Sequence, residues 1–311
     1  MKIALITVAT LLCGQAFAQD ASTSTTKIAN PAATSSAPAA EASITTKAPA
    51  TESPWHLTLG SENYNYEGDN RKSESGPIIS YNFVGARYAP SKLWELELRQ
   101  QFQITSSRNG LGGRDAILHR NSSTAMAETV LRAALKPTGW LGSSAALLDL
   151  RYYAPTDQVA QENKELGRLR FDTYLEWTIT PKFTMAGYVS PRVLFNSQNN
   201  PNKAVGSDAE YYQVKAAPYF IYTMNDHIMP YYAYTVSERS SQAQRGNWEP
   251  DMANMGSHEV GLNMYYGAFY INPALISDTS LENGSGSILS GDSRAFSYDN
   301  LSYNLNVYAV F

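Results

Sequence analysis

Four histidines are the first residues to weigh for chemistry: His56, His119, His227 and His258. The stretch GSHEVGLN (256–263) holds Ser257, His258 and Asn263, the residue types of a nucleophile, a base and an orienting amide. The spacing argues against that use. In an extended chain, successive side chains point to opposite faces, so Ser257 and His258 look away from each other. His258 shares the parity of Val260 and Leu262, and His56 that of Thr58 and Gly60. His119 and His227 fall in or beside connections. No His/Asp group has the spacing of a metal site. The expectation is no catalytic residue, no metal and no cofactor.

The charged residues carry a clearer pattern. In KLWELELRQQFQIT (92–105), Glu95, Glu97, Arg99, Gln101 and Gln103 alternate with Trp94, Leu96, Leu98, Phe102 and Ile104. In GRLRFDTYLEWTI (167–179), Arg168, Arg170, Asp172, Tyr174 and Glu176 alternate with Leu169, Phe171, Leu175, Trp177 and Ile179. Asp149 and Arg151 oppose Leu148, Leu150 and Tyr152, while Glu128 and Arg132 oppose Leu131, Ala133 and Leu135. Over the chain the polar faces hold the acids Glu62, Glu95, Glu97, Glu128, Asp149, Asp172, Glu176, Glu259 and Asp278. They also hold the bases Arg99, Arg132, Lys136, Arg151, Arg168, Arg170, Arg192, Lys215 and Arg239, nine against nine. Such a set forms either a neutral lattice of cross-strand ion pairs or the charged lining of a narrow aqueous pore.

The elements that position these charges have a period of two, so they are strands. Twelve segments carry it, near 54–64, 76–89, 92–106, 124–136, 142–154, 167–180, 182–197, 208–224, 227–240, 256–267, 268–280 and 295–311. The second is the least regular: Phe83 and Val84 both read as outward, and Gly85 reads as a bulge or bend. Long connections, rich in Gly, Asn and Ser, alternate strictly with tight turns such as TPK and NDH. Every tight turn therefore lies at one end of the sheet, together with both ends of the segment series. An all-β, antiparallel, up-and-down transmembrane barrel of about twelve strands obeys that rule, and its closure satisfies every backbone group in lipid. A dry soluble core would not tolerate this many charges.

Composition agrees. Lys plus Arg number 24 against 28 Asp plus Glu, a balance too mild for a nucleic-acid partner. Beyond the N-terminus no apolar run is long enough for a membrane helix. Residues 1–18 read as a secretory signal ending in Ala16-Phe17-Ala18, with lipidation at Cys13 as the alternative. Its removal would leave no cysteine. Residues 19–53, dominated by Ala, Ser, Thr and Pro, bury too little apolar surface to order and read as a disordered periplasmic tail. The barrel is expected over 54–311.

The last segment, LSYNLNVYAVF, alternates Tyr303, Leu305, Val307, Ala309 and Phe311 with polar neighbours. With the twelve alternating strands, it resembles the bacterial outer-membrane β-barrel proteins, porin-like in type, and this row is similar to the assembly signal of that class. Trp55, Trp94, Trp140 and Trp177 all map to the tight-turn end, where an interfacial girdle is expected. The resemblance implies a Gram-negative outer membrane with tail and termini periplasmic. Its partners would be membrane lipid, the assembly machinery and small polar solutes, and the Tyr-rich outer face leaves an oligomer open. The strongly basic lumen of the twelve-stranded acidic-oligosaccharide porins is not matched here. The implied function is passive diffusion of small polar solutes with weak charge selectivity. Expected pore-lining residues are Glu95, Glu97, Arg99, Glu128, Arg132, Asp149, Arg151, Arg168, Arg170, Asp172, Glu176, Arg192 and Lys215. The alternative is a closed structural or surface-interaction barrel without transport.

Overall fold

The computed structural model describes residues 53–65, 77–109, 111, 113–196, 211–242, 248–250, 255–280 and 301–311. The expected signal and nearly all of the expected tail lie outside these residues. In chain order the elements are β1 (Trp55–Asn65), β2 (Ile78–Tyr88), β3 (Trp94–Thr105), α1 (Gly113–Leu118), β4 (Thr124–Leu135), a 3-10 turn (Trp140–Gly142), β5 (Ala145–Ala154), α2 (Gln158–Glu162), β6 (Glu165–Thr180), β7 (Phe183–Asn196), β8 (Tyr211–Tyr222), β9 (Ile228–Gln242), β10 (Trp248–Pro250), β11 (Met255–Tyr266), β12 (Phe269–Ser280) and β13 (Leu301–Val310).

Apart from the short β10, each strand pairs antiparallel with the strands before and after it in the chain. The ring closes because β13 pairs with β1, and β11 pairs directly with β9. Twelve long strands form the wall, while β10 is a three-residue extension paired only with the outer end of β9. A transmembrane strand needs about 9–11 residues when tilted; the long strands run from 10 to 16. The seam holds to the last residue. Leu57 and Phe311 exchange both backbone hydrogen bonds, each at 2.9 Å, and the Phe311 ring meets Phe269 edge-on at 5.9 Å.

The structure adds to or corrects the sequence reading at four places. Strand β10 and helices α1 and α2 sit inside stretches expected to be irregular. These are short elements of one to two turns or three residues, too brief to leave a periodic signal. Phe83 faces inward and is buried rather than facing out with Val84. The β1–β2 and β2–β3 ladders run through Gly85 without a bulge. The reason for glycine there is steric: a Cβ would come within 2.5 Å of Thr58 Oγ1 and 2.9 Å of Glu97 Oε1. The Thr58 hydroxyl donates to Glu97 across β2, over the space a side chain would fill.

Candidate functional site: the lumen wall

Strand register sets the inward charges in rows. Glu97 lies opposite Arg132, Arg132 opposite Arg151, Arg151 opposite Arg170 and Arg170 opposite Arg192. Four arginines thus stand side by side on β4 to β7. Like charges directly opposite one another are destabilising, so this row needs carboxylates within reach. They sit mostly in the next row toward the tight-turn end: Glu95, Asp149 and Asp172. Arg132 donates to Glu95 Oε1 at 2.6 Å, to Glu97 Oε2 at 3.2 Å and to Asp149 Oδ2 at 2.8 Å. Arg151 reaches Asp149 at 2.7 Å, and Arg170 reaches Asp172 at 2.7 Å. Arg170 also donates to the Tyr188 hydroxyl, which in turn donates to Asp172. Lys136 closes on Glu95 at 2.6 Å.

None of the side chains of Glu95, Glu97, Arg99, Arg132, Asp149, Arg151, Arg170 and Asp172 is more than 4 % exposed. At such burial a charge persists only when paired and hydrogen-bonded. Arg99 meets both needs by donating to Glu97 at 2.7 Å and lying 4.4 Å over the Phe83 ring. Toward the long-loop end Arg168 pairs with Glu128 two strands away, and its guanidinium lies 4.9 Å over Tyr153 on the strand between. Arg168 and Arg192 are half-buried, while Glu176 and Lys215 are buried. The Tyr174 hydroxyl donates to Glu176 Oε1 at 2.8 Å.

The other half of the wall, β8 to β13 with β1, is built from tyrosine and asparagine. The Tyr231 hydroxyl donates to Glu259, and that of Tyr308 to Glu62. Asn272 donates to Tyr231 at 3.1 Å and to Asn263 at 3.2 Å, and the Tyr270 hydroxyl donates to Asn263 at 2.7 Å. Gly261 makes room for this network, because a Cβ there would lie 2.5 Å from the Tyr231 hydroxyl.

Two apolar clusters share this interior. One runs from Ala134 and Leu147 through Tyr174, Tyr188 and Tyr219 to Tyr231. The other joins Phe83, Tyr270 and Tyr308. Tyr265 packs against both.

Sequence reasoning counted charges and so missed the tyrosine and asparagine network of this half, although Tyr219, Tyr231 and Tyr270 sit on the inward parity. It also missed Arg87, which is buried 3.7 Å from Glu95; parity in the irregular second segment would have found it. The side chains of Asp278 and Arg239 lie outside the described residues. Ser257 is buried inward, while His258 faces outward, with its Nδ1 2.9 Å from the Tyr232 hydroxyl. Among the described residues no cluster of three metal-ligating side chains occurs.

The outer face is the reverse of the inner one. Leu96, Leu98, Leu131 and Leu150 are each about half exposed, as are Val84, Val189, Val236 and Val260 around the circumference. A closed sheet whose leucines and valines face out while its arginines are buried inside is built for a lipid surround. The chain is a closed, twelve-stranded antiparallel β-barrel with an apolar outer face, the architecture of a membrane-spanning barrel. Trp55, Trp94 and Trp140 are exposed and Trp177 half-buried, all near the tight-turn end. Trp55, Tyr88 and Trp94 form a continuous aromatic run, with ring centroids 4.8 and 6.1 Å apart. On β13 the Tyr303 and Leu305 side chains are exposed, as is the following Phe311; Val307 is half-buried and Ala309 buried.

No protein-family model matches the sequence, and no curated protein matches it either. Among solved structures, the barrel is similar to an outer-membrane channel from Pseudomonas putida F1. That match has 13 % identity and a TM-score of 0.46, and it covers 84 % of this chain and 97 % of that one. It is also similar to the KdgM porin, at 9 % identity and a TM-score of 0.42 over 82 % of this chain and 99 % of that one. The NanC porin gives 9 % identity and 0.41 over 82 % and 98 %.

Proposed function

We propose that the barrel is a passive conduit for small polar solutes across the outer membrane, with a weak preference between cations and anions. The observation that carries this reading is the inward wall: polar and nearly charge-balanced around a closed ring of twelve long strands. Eight strands already give an interior that side chains fill, and added strands widen it. In this reading residues 1–18 direct export and are removed, residues 19–53 form a periplasmic tail, and the tight turns face the periplasm. The thirteen charged residues named above line the path. Because most of their charges are matched by a neighbour within hydrogen-bond distance, the net field along the path is small.

A second reading has its own support. The inward side chains of Glu97, Arg132, Asp149 and Arg151 are at most 1 % exposed, which favours a barrel whose interior is filled, with a structural or surface-contact role. Osmotic swelling of liposomes carrying the refolded protein separates the two. The conduit reading expects swelling with a pentose, slowing as the sugar grows to a trisaccharide. Swelling no faster than in empty liposomes, for every sugar, would select the sealed barrel.

A further inference from the structure

We infer that the turn between β4 and β5 is a membrane anchor, with its tip, Trp140 and Leu141, seated in the headgroup layer of the leaflet at the tight-turn end. The inference rests on the membrane-spanning barrel and is independent of whether the lumen conducts. The turn covers 136–144 and holds a single charged residue, Lys136, whose ammonium is drawn back onto Glu95. Leu141 is 68 % exposed, and no large apolar side chain among the described residues is more so. Its backbone is left-handed, at φ 52° and ψ 32°, and it lies between Gly139 at φ 69° and Gly142 at φ 72°. Left-handed backbone is strained for a residue with a Cβ, and glycine or asparagine fits it better. A turn that only reversed the chain in water would gain nothing from leucine there. Moving the leucine side chain from water into an apolar layer is favourable by an amount of the same order as that strain.

The turn presents this tip on a fixed base. The Gly142 and Ser143 N–H groups donate to Gly139 O and Trp140 O at 3.2 and 3.0 Å, and the Ser143 hydroxyl donates to Trp140 O at 2.6 Å. On one side the Lys136 N–H donates to Leu93 O at 2.6 Å, and on the other the Ser144 N–H donates to Glu176 O at 2.7 Å. The flanks are apolar as well. Leu93 and Trp94 are exposed, Leu135 lies exposed opposite Trp94, and Ile179 on β6 is exposed beyond Trp177. They extend the aromatic run of Trp55, Tyr88 and Trp94 at the same end of the barrel. The neighbouring turn, 89–93, adds the exposed Lys92 and no acid. A cation beside tryptophan suits a layer of lipid phosphates. The 223–227 turn differs: beyond Met224 its exposed tip is Asn225, Asp226 and His227, the composition of a turn in water. A lipid surface accounts at once for the exposed leucine, its strained backbone and this difference between the two sides of the rim.

Site-directed fluorescence of the full-length protein, refolded into vesicles of phosphatidylcholine and phosphatidylglycerol, tests this. Cys13 is the sole native cysteine, so in a Cys13→Ser background Leu141→Cys and Asp226→Cys each carry one environment-sensitive label. The Leu141→Cys label is expected about 5–10 Å into the boundary between headgroups and acyl chains. It is then blue-shifted, quenched by a lipid with a nitroxide near its glycerol, and shielded from iodide supplied on both sides of the membrane. The Asp226→Cys label is expected to be quenched by iodide. Iodide quenching as strong at Leu141→Cys as at Asp226→Cys would overturn the assignment and leave the tip to a water-borne partner. A second test needs no label. Asparagine tolerates left-handed backbone, so Leu141→Asn relieves the strain and removes the apolar side chain. Its urea midpoint of unfolding from vesicles is expected to fall, with Leu141→Phe close to the wild type. A midpoint unchanged or raised by Leu141→Asn would overturn the anchor, because a turn in water gains from that change.

Discussion

Arg132 concentrates the chemistry of the wall in one side chain. It holds Glu95, Glu97 and Asp149 at once, on β3 and β5, from a position that is 1 % exposed. Removing it leaves three buried carboxylates short of a cation. Breaking a buried pair by deleting one partner costs about 3–5 kcal/mol, so Arg132→Ala is expected to lower unfolding stability in detergent or lipid by that order. Arg120 makes a bond of the same length, 2.6 Å to Glu162 between the loops that carry α1 and α2. That pair is about half exposed, and Arg120→Ala is expected to change stability by about 1 kcal/mol or less. Urea titration of both variants, monitored by tryptophan fluorescence, makes the comparison. Equal losses would mean that the Arg132 lattice is hydrated and worth no more than a surface pair.

A single strand shows why the two faces cannot be exchanged. On β3, Glu95, Glu97 and Arg99 are buried, while Leu96 and Leu98 are about half exposed. An arginine on the lipid face at mid-membrane costs about 2–4 kcal/mol. Leu98→Arg and Leu150→Arg are therefore expected to destabilise refolding into lipid vesicles by that order. Gln101→Arg, on the inward parity, is expected to cost clearly less. Equal losses at all three positions would refute the assignment of faces. This parity is the part of the fold that the sequence states most openly: Leu98 against Arg99, and Leu150 against Arg151, can be read from spacing alone. Aligning β3 and β4 at their tight-turn ends puts Glu97 opposite Arg132, and the ladder has that register. Phe83 and Gly85 were not legible, because two apolar residues in succession leave parity undefined and only the Thr58–Glu97 contact explains the glycine.

Around the whole ring the wall is uneven. Strands β3 to β7 carry the arginine and carboxylate rows, while β8 to β13 carry mostly tyrosine and asparagine, with Lys215 and Glu259 among them. A path through such a barrel would have one side dense in charge and one side sparse in it, and its charges would largely cancel. Closure depends on the β13–β1 seam and the direct β9–β11 pairing, so the field and the bore are properties of the intact ring. Current through the purified full-length protein in a planar bilayer, under a salt gradient, tests the conduit most directly. The account predicts discrete conductance steps and a reversal potential close to zero, shifted toward cations when the half-buried Arg168 is replaced by alanine. Folded, inserted barrels that give no steps in repeated recordings would contradict it, as would a wild type strongly selective for either sign.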